Sequence, residues 1–364
     1  MQHPVDLSQL PEGARKVLAG PAPLKMMAAR GMAPLPPLAM MCALYGLAWV
    51  DDRGLREAAQ ATLLGLPEAV VHSALASPDF PAAVLDDFVT RAAGNRSYVE
   101  RVVRHPNTAG ETIARLALEA DEALTEIISQ NEQRMLAHPA IIESLYLNPA
   151  TRMSTSDRIV EFAARNGIKV QIPGFEHIVA ALKDQVIPPP SEEPLASDLA
   201  FVNALEEARE FGLDDVEEDE DGSLRVKDGA RKVEKRIEDM SVTEKIRTAM
   251  LGNAMQRTLL VRSTNRLVAA AVLDSPKIGD DEVIKIAASR NVSDDILRRI
   301  ASRGAWMRLY EVKLNLVSNP KTPAGDSMKL IVHLRESDMK RVASSKNVSA
   351  AVCTAANNHL KKRK

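Results

Sequence analysis

The chain has 364 residues, of which 45% are hydrophobic, 26% charged and 3% aromatic, and its formal net charge is -2. This composition is that of a globular protein with a sizeable core, and it excludes a wholly disordered chain. The length predicts two or three domains, or one repeat array. Cys42 and Cys353 lie more than 300 positions apart. They provide neither a disulfide framework nor a metal-ligand spacing, which favours a reducing compartment.

The first fifty residues contain one uncharged stretch, residues 31–50. Three prolines near its start delay any helix until about Leu38. The roughly 13 residues that remain are fewer than the roughly 20 needed to span a bilayer, so we predict a buried helix. Charges interrupt the first 20 positions, so no secretory signal is expected and a soluble cytoplasmic protein is predicted.

Helical-repeat character begins in residues 44–66, LYGLAWVDDRGLREAAQATLLGL. A turn at Asp51 and Asp52 is followed by a Leu-Arg pair and by Ala59 and Leu63 at helical spacing. The segment resembles a HEAT repeat. The resemblance implies that the Leu-Arg pair stands where HEAT repeats usually have Val-Arg, and that Ala59 and Leu63 pack between helices.

A polar residue followed by proline, a short spacer and an apolar helical pattern recurs six times along the chain, at spacings of 10 to 127 residues. Proline is tolerated near a helix start because its missing N–H has no partner there, so the pair indicates punctuation between helices. The irregular spacing favours degenerate helix pairs that stack into an α-solenoid. The six pairs are Ser77-Pro78, His105-Pro106, His138-Pro139, Asn148-Pro149, Ser275-Pro276 and Asn319-Pro320.

Two segments that open on such a pair, residues 105–117 and 148–163, continue into an apolar helical pattern. They resemble the variant leucine-rich repeat, a short helical unit, and residues 275–287 and 319–331 resemble further copies. The resemblance implies an α-solenoid and no particular activity. Some members of that family carry an iron–sulfur cluster on a cysteine-rich segment. This chain has no such segment, so no cofactor is expected.

A proline-rich and then acidic segment, residues 187–230, divides the chain. Three consecutive prolines favour an extended spacer, and residues 214–221 contain seven acids in eight positions, which is typical of solvated, disordered chain. We predict an all-α fold, an α-solenoid of HEAT-like helix pairs in two lobes. The N-terminal lobe would comprise residues 1–186 and the C-terminal lobe residues 231–364, joined by a largely disordered linker.

The small net charge is the sum of two opposite parts. Residues 222–364 contain 29 Lys and Arg against 15 Asp and Glu. The remaining 18 basic and 34 acidic residues, of totals of 47 and 49, therefore belong to residues 1–221. Such asymmetry favours an anionic partner for the basic part, or attraction between the two parts.

The basic lobe contains an internal repeat at an offset of 56 residues. Residues 282–296 align with residues 338–352, with the cores ASRNVS and SSKNVS. Each core indicates a turn between two helices, and we favour that structural interpretation over a ligand role for its cation. The expected roles are a cation at the helix end, an asparagine able to adopt the left-handed conformation, an apolar contact and an N-cap. In that order the residues are Arg290 and Lys346, Asn291 and Asn347, Val292 and Val348, and Ser293 and Ser349.

Signatures of catalysis are missing from the sequence. It has no nucleotide-binding glycine loop, no zinc-spaced histidine pair and no serine or cysteine nucleophile motif. Trp306 and Tyr310, four positions apart, are expected on one helical face and are interpreted as core rather than as a stacking platform. We therefore predict no catalytic residue, no metal ligand and no cofactor, and a protein that is not an enzyme.

The exposed cations of the basic lobe form the one candidate surface. Ile296, Leu297 and Ile300 mark a buried stripe, which places Arg299 and Arg303 together one turn apart. The surface is either a solvated helical face or a binding site for an anion: nucleic acid, an acidic protein segment or lipid headgroups. The candidate residues are Arg262, Arg266, Arg290, Arg299, Arg303, Lys340, Arg341 and Lys346.

Three functions stay open at this point. The leading hypothesis is a non-enzymatic scaffold that presents stacked helices to a protein partner. The alternative is binding of nucleic acid or another polyanion by the basic lobe, gated by the acidic residues 214–221. The third is DNA glycosylase activity, which a few HEAT-like proteins possess and which requires a cleft with an acid and aromatic residues.

Overall fold

A computed structural model gives the fold and describes residues 7–92, 94–183, 185–219, 222 and 224–363. In this described part of the chain, 24 α-helices comprise most of the structure, which is 67% helical, and one two-stranded β-sheet is present. The predicted all-α class is confirmed. No helix of the described residues is long and apolar enough to cross a membrane.

The helices form two compact units, an N-terminal unit of residues 1–145 and a C-terminal unit of residues 146–364. The division lies between Leu145 and Tyr146, whereas the sequence places it at residues 187–230. The reason is that helices on both sides of the proline-rich segment pack against each other within the C-terminal unit.

The helices of the N-terminal unit are short, mostly eight to twelve residues. The last of them, α11, continues across the unit boundary. They are α1 (Glu12–Ala19), α2 (Ala22–Ala29), α3 (Pro37–Leu47), α4 (Arg53–Leu64), α5 (Glu68–Leu75), α6 (Ala82–Arg91), α7 (Arg96–Arg104), α8 (Gly110–Glu119), α9 (Glu122–Ser129), α10 (Glu132–Ala137) and α11 (Ala140–Leu147).

The C-terminal unit contains the remaining helices and the antiparallel hairpin, in which Val216 pairs with Val226. Its elements are α12 (Met153–Arg165), α13 (Phe175–Leu182), α14 (Ala196–Glu207), β1 (Val216–Glu218), β2 (Leu224–Val226), α15 (Arg231–Asp239), α16 (Val242–Leu251), α17 (Ala254–Leu260), α18 (Arg266–Asp274), α19 (Asp280–Ala288), α20 (Asp294–Ser302), α21 (Tyr310–Ser318), α22 (Ala324–Ile331), α23 (Glu336–Ala343) and α24 (Ala350–Arg363).

The uncharged stretch of residues 31–50 forms the buried helix that its prolines predict. Pro36 occupies the N-cap and Pro37 the first helical position, where a missing N–H loses no hydrogen bond. From Ala39 to Leu47 every residue of α3 is buried. An all-round apolar helix is therefore the centre of the N-terminal core.

Many helices pack on the helix next but one along the chain as well as on the next helix. In the N-terminal unit α3 packs on α5, α5 on α7 and α7 on α9; in the C-terminal unit α16 packs on α18, α17 on α19 and α19 on α21. Helices of this length cannot bury an apolar face alone, so each stabilises its neighbours.

The polar residues before proline connect successive turns. In the N-terminal unit, the His105 ring lies 2.8 Å from the carbonyl oxygen of Ser77. In the C-terminal unit, the Asn319 amide donates to the carbonyl oxygens of Ala287 (2.9 Å) and Ser289 (2.8 Å). These contacts hold the end of one helix pair to the next. The residue before the proline therefore links neighbouring helix pairs.

Replacing Asn319 with alanine is expected to lower the free energy of unfolding by about 2 kcal/mol, because two buried carbonyls lose their donor. Asn319 is 4% exposed. Chemical denaturation followed by circular dichroism measures the change. The matched control is Asn357→Ala, since Asn357 is exposed and donates one bond to the Cys353 carbonyl within its own helix. Equal effects at the two positions would contradict the proposed connection.

The segment of residues 187–230, predicted as a largely disordered linker, carries regular structure where it is described. Helix α14 packs on α12 and α16. Asp198 of α14 is 2% exposed and accepts hydrogen bonds from the Ser154 N–H (2.8 Å) and hydroxyl (2.9 Å). The hairpin follows. Of the acidic run, Glu220 and Asp221 lie outside the described residues. Composition alone missed these tertiary contacts.

A buried arginine holds the turn at the start of the C-terminal unit. Arg247 of α16 is 0% exposed and donates to the carbonyl oxygens of Asn148 and Thr151, both at 2.9 Å. The rings of Tyr146 and Phe201 flank its guanidinium at 5.8 and 5.0 Å. The Asn-Pro-Ala-Thr turn is therefore held by a helix about 100 residues away in sequence.

The internal repeat forms two helix-turn-helix segments, as predicted, but its asparagines do not behave as expected. No residue other than glycine has a positive φ in the described chain, so neither Asn291 nor Asn347 is left-handed. Val292 is buried and Ser293 occupies the N-cap of α20, without a side-chain cap bond. After α19 the backbone is extended at Ser289 (ψ 132°), whereas after α23 it is still right-handed helical at Ser344 (ψ -1°).

The expected single face of Trp306 and Tyr310 is wrong, because Leu309 is extended (ψ 122°) and separates a short 3-10 turn from α21. Trp306 is buried against the Arg303 guanidinium, 4.6 Å from the ring centre. The Tyr310 hydroxyl donates to Asp338. Both aromatic side chains thus contact other residues of the C-terminal unit.

Candidate functional site

Three successive turns of the C-terminal unit line one groove of about 850 Å³. Helices α17, α19 and α21 pack side by side, so the turns that follow them lie next to each other. The turn after α17 contributes Arg262, Ser263 and Thr264, the turn after α19 contributes Asn291 and Ser293, and the turn after α21 contributes Lys321. We call this the turn groove.

The turn groove is strongly basic. Its described lining includes five Lys and Arg side chains and a single carboxylate, Asp295. Arg266 pairs with Asp295 but stays 82% exposed, and Arg298, 3.3 Å from the same carboxylate, is 56% exposed. Ion pairs this open to solvent contribute little, so these two cations stay available to an external anion. The five cations are Arg262, Arg266, Arg298, Arg299 and Lys321.

Arg299 and Arg303 come together as predicted, on a shared carboxylate. Arg299 lies 3.1 Å from Asp274, and Arg303 pairs with the same side chain, which is 13% exposed. Arg303 also donates to the Leu273 carbonyl. One carboxylate facing two guanidinium groups leaves a positive excess at the edge of the groove.

A second cavity, of about 560 Å³, lies between the β-hairpin and α17 and α19. Here the acidic strand β1 faces cations. The Glu218 carboxylate accepts a hydrogen bond from the Arg290 backbone N–H (2.7 Å) and from the Arg262 guanidinium. The Gly222 carbonyl accepts from the Asn291 side-chain amide at 2.6 Å and from Arg262 at 3.3 Å. Burial lowers the pKa of Arg262.

The eight predicted surface residues do not form one site. Arg262, Arg266 and Arg299 line the turn groove, Arg290 lines the hairpin cavity and Arg303 anchors Asp274. The others lie on or after α23. Lys340 pairs with Glu336 at 2.6 Å, Arg341 pairs with Asp338 at 2.7 Å, and Lys346 is exposed in the turn before α24.

Sequence reasoning omitted Arg298, Lys321 and Asn291 from the candidate site. One signal was present in the sequence: the turns that follow α17, α19, α21 and α23 each contain a cation. Alignment of the turns, rather than of the two most similar ones only, reveals this pattern. The cations are Arg262, Arg290, Lys321 and Lys346, at spacings of 28, 31 and 25 residues.

The described residues bear on two kinds of chemical site, a metal centre and a reactive thiol. No group of three or more His, Cys, Asp or Glu side chains in this part of the chain is arranged to hold a metal ion. Burial raises the pKa of the Cys42 thiol to about 12, which keeps it protonated and a poor nucleophile.

Comparison with models of known protein families finds no match, and comparisons with curated proteins and with solved structures find none either. The turn groove and the hairpin cavity are therefore interpreted from their own chemistry.

Proposed function

We propose that this chain is a non-enzymatic α-solenoid scaffold, and that its turn groove binds an acidic segment of a partner protein. The next-but-one packing of the helices and the hydrogen bonds between turns support the solenoid. Stacked repeats of this kind present extended surfaces to partners.

The charge of the turn groove carries the proposal. Five cations from two turns and two helices line a cleft of about 850 Å³ whose lining holds one carboxylate; two of them, Arg262 and Arg299, also pair with Glu218 and Asp274. A cleft lined by one sign of charge concentrates ligands of the opposite sign and speeds their association. The Ser263, Thr264 and Asn291 side chains add neutral hydrogen-bonding groups for a peptide.

The test is binding of a labelled 12-residue Glu-Ser peptide to the full chain, measured by fluorescence anisotropy at low salt. The triple variant R266A/R298A/K321A is expected to bind about tenfold more weakly, because each exposed cation contributes about 0.5 kcal/mol. The matched control R231A/K232A/K235A removes the same charge from exposed positions of α15. Equal losses in both variants would indicate unspecific charge attraction and contradict the proposal.

Nucleic acid is the alternative occupant, and the same assay separates it. None of the described groove-lining residues is Phe, Tyr or Trp, so the groove lacks the platforms on which single-stranded bases stack. Duplex DNA of 12 base pairs serves as competitor. Tighter binding of DNA than of peptide, with a slope of log K against log salt of about -4.5 for five phosphates, would favour nucleic acid.

A further inference from the structure

Glu218 lies in a site formed by polar groups at the ends of α17 and α19 in the C-terminal unit. One carboxylate oxygen accepts the Arg290 backbone N–H at 2.7 Å, and the other accepts from the Arg262 guanidinium. The Glu218 side chain is 22% exposed and the Arg262 side chain 12%. We call the Arg290 N–H, the Arg262 guanidinium and the Asn291 side-chain amide the carboxylate site.

The donors of this site fit an acidic peptide. Each carboxylate oxygen receives its own donor, one of them charged, which makes these hydrogen bonds stronger than neutral ones. Beside them the Asn291 amide binds a backbone carbonyl, that of Gly222, at 2.6 Å. The site thus recognises a carboxylate and a main-chain carbonyl a few residues later, which is the pattern of a peptide rather than of an isolated anion.

The β1–β2 hairpin, which occupies the site in the folded chain, is a short element. Each strand of the hairpin has three residues, and an isolated two-stranded hairpin is marginally stable in water. On β1 Val216 is buried, while Glu217 and Glu218 line the cavity. A competing segment therefore has little packing to displace.

We infer that the partner segment is acidic and extended, and that it places one carboxylate in the carboxylate site, which Glu218 fills in the unbound protein. The hairpin is then an internal competitor that lowers the affinity for the partner. This inference rests on the proposed function, since it names the segment that the basic array binds. Arg262 lines both cavities, so a segment seated there continues into the turn groove.

The experiment uses a nine-residue peptide, DDVEEDEDG, which copies residues 214–222, and the 364-residue chain. Glu218→Ala is expected to raise the affinity for this peptide about tenfold, because the site loses its internal carboxylate. Glu217→Ala is the matched control: it removes the same charge from the neighbouring position, which is exposed. We expect less than about a twofold change for this control, the size of a screened surface charge effect.

The peptide DDVEQDEDG, in which glutamine replaces the glutamate at position five, is expected to lose most of the gain. Asn291→Ala in the Glu218→Ala background is expected to weaken binding again, about fivefold, by the loss of one hydrogen bond. Equal gains from Glu217→Ala and Glu218→Ala would overturn the inference and leave only a general charge effect. Circular dichroism melts of each variant confirm that the array is folded.

The proposed function and this inference fail in different ways. If R266A/R298A/K321A binds acidic peptide as well as the parent does, the turn groove is not the binding surface. The gain from Glu218→Ala is then still measured independently, because Glu218 contacts none of those three side chains in the described structure. If the groove variant loses binding and Glu218→Ala gains none, the scaffold proposal stands and the internal competitor is refuted.

Discussion

Replacing Arg257 with methionine is expected to lower the free energy of unfolding by about 3–5 kcal/mol. The Arg257 side chain is 4% exposed and donates two 2.7 Å hydrogen bonds to the carboxylate of Glu282, whose side chain is 7% exposed. It also donates to the carbonyl oxygens of Gly252 (2.7 Å) and Lys277 (3.2 Å). Removal of the cation leaves a buried carboxylate and two carbonyls without this donor, which is the costly arrangement. Denaturant titration followed by circular dichroism measures the loss.

Two comparisons make the expectation specific. Arg266→Met removes an ion pair whose arginine is 82% exposed, so it is expected to change stability by less than about 1 kcal/mol. The double variant R257M/E282M removes both buried charges and is expected to recover part of the loss. A double variant that loses the sum of the two single effects would show that the two side chains do not interact.

Replacing Asp157 with asparagine is expected to stabilise the protein above pH 7, by up to about 4 kcal/mol, and to leave it unchanged near pH 4. Burial raises the pKa of the Asp157 carboxyl to about 7, against the opposing effect of the nearby Arg247 charge. Its Oδ1 is buried and has no hydrogen-bond partner in the described residues, and the Thr243 hydroxyl lies 3.5 Å from Oδ2. The interior therefore favours the neutral acid.

The sign follows from proton uptake. An unfolded aspartate titrates near pH 4, so between about pH 4 and 7 the folded chain holds a proton that the unfolded chain has lost. The contribution of Asp157 to stability is thus lost as the pH rises through this window, and the asparagine variant should lack that part of the slope. Parallel curves of unfolding free energy against pH for parent and variant would contradict a protonated Asp157.

Asp215 provides the opposite control. Hydrogen bonds from the Gly212 N–H and the Lys227 ammonium hold the pKa of Asp215 below its usual value. Asp215→Asn is therefore expected to destabilise the protein at neutral pH, with the difference disappearing in acid.

Local sequence patterns predict where some helices begin and which of their faces are buried. The prolines before α3 fix its start, and the apolar spacing of Ile296, Leu297 and Ile300 predicts the buried stripe of α20 that the structure contains. These features depend on residues within one or two helical turns, where spacing and capping decide the conformation.

The features that sequence reasoning missed depend on partners far along the chain. The acidic run of residues 214–221 has the composition of solvated chain, yet Glu218 meets the Arg290 N–H, 72 residues away. The sequence indicates that Asn291 can adopt a left-handed cap, whereas its side-chain amide donates to the Gly222 carbonyl, 69 residues before it. Composition and periodicity carry no information on such pairings, which arise only when the helices are stacked.

The hydrogen bonds between turns also set the order in which the chain is expected to assemble. They join groups that are about 30 residues apart, such as Asn319 and Ala287, so neighbouring helix pairs close short loops and fold early. Arg247 reaches the Asn148 carbonyl across 99 residues, and closing that longer loop costs about 1 kcal/mol more in chain entropy. The array after α16 is therefore expected to form first and to serve as the template on which residues 146–251 fold.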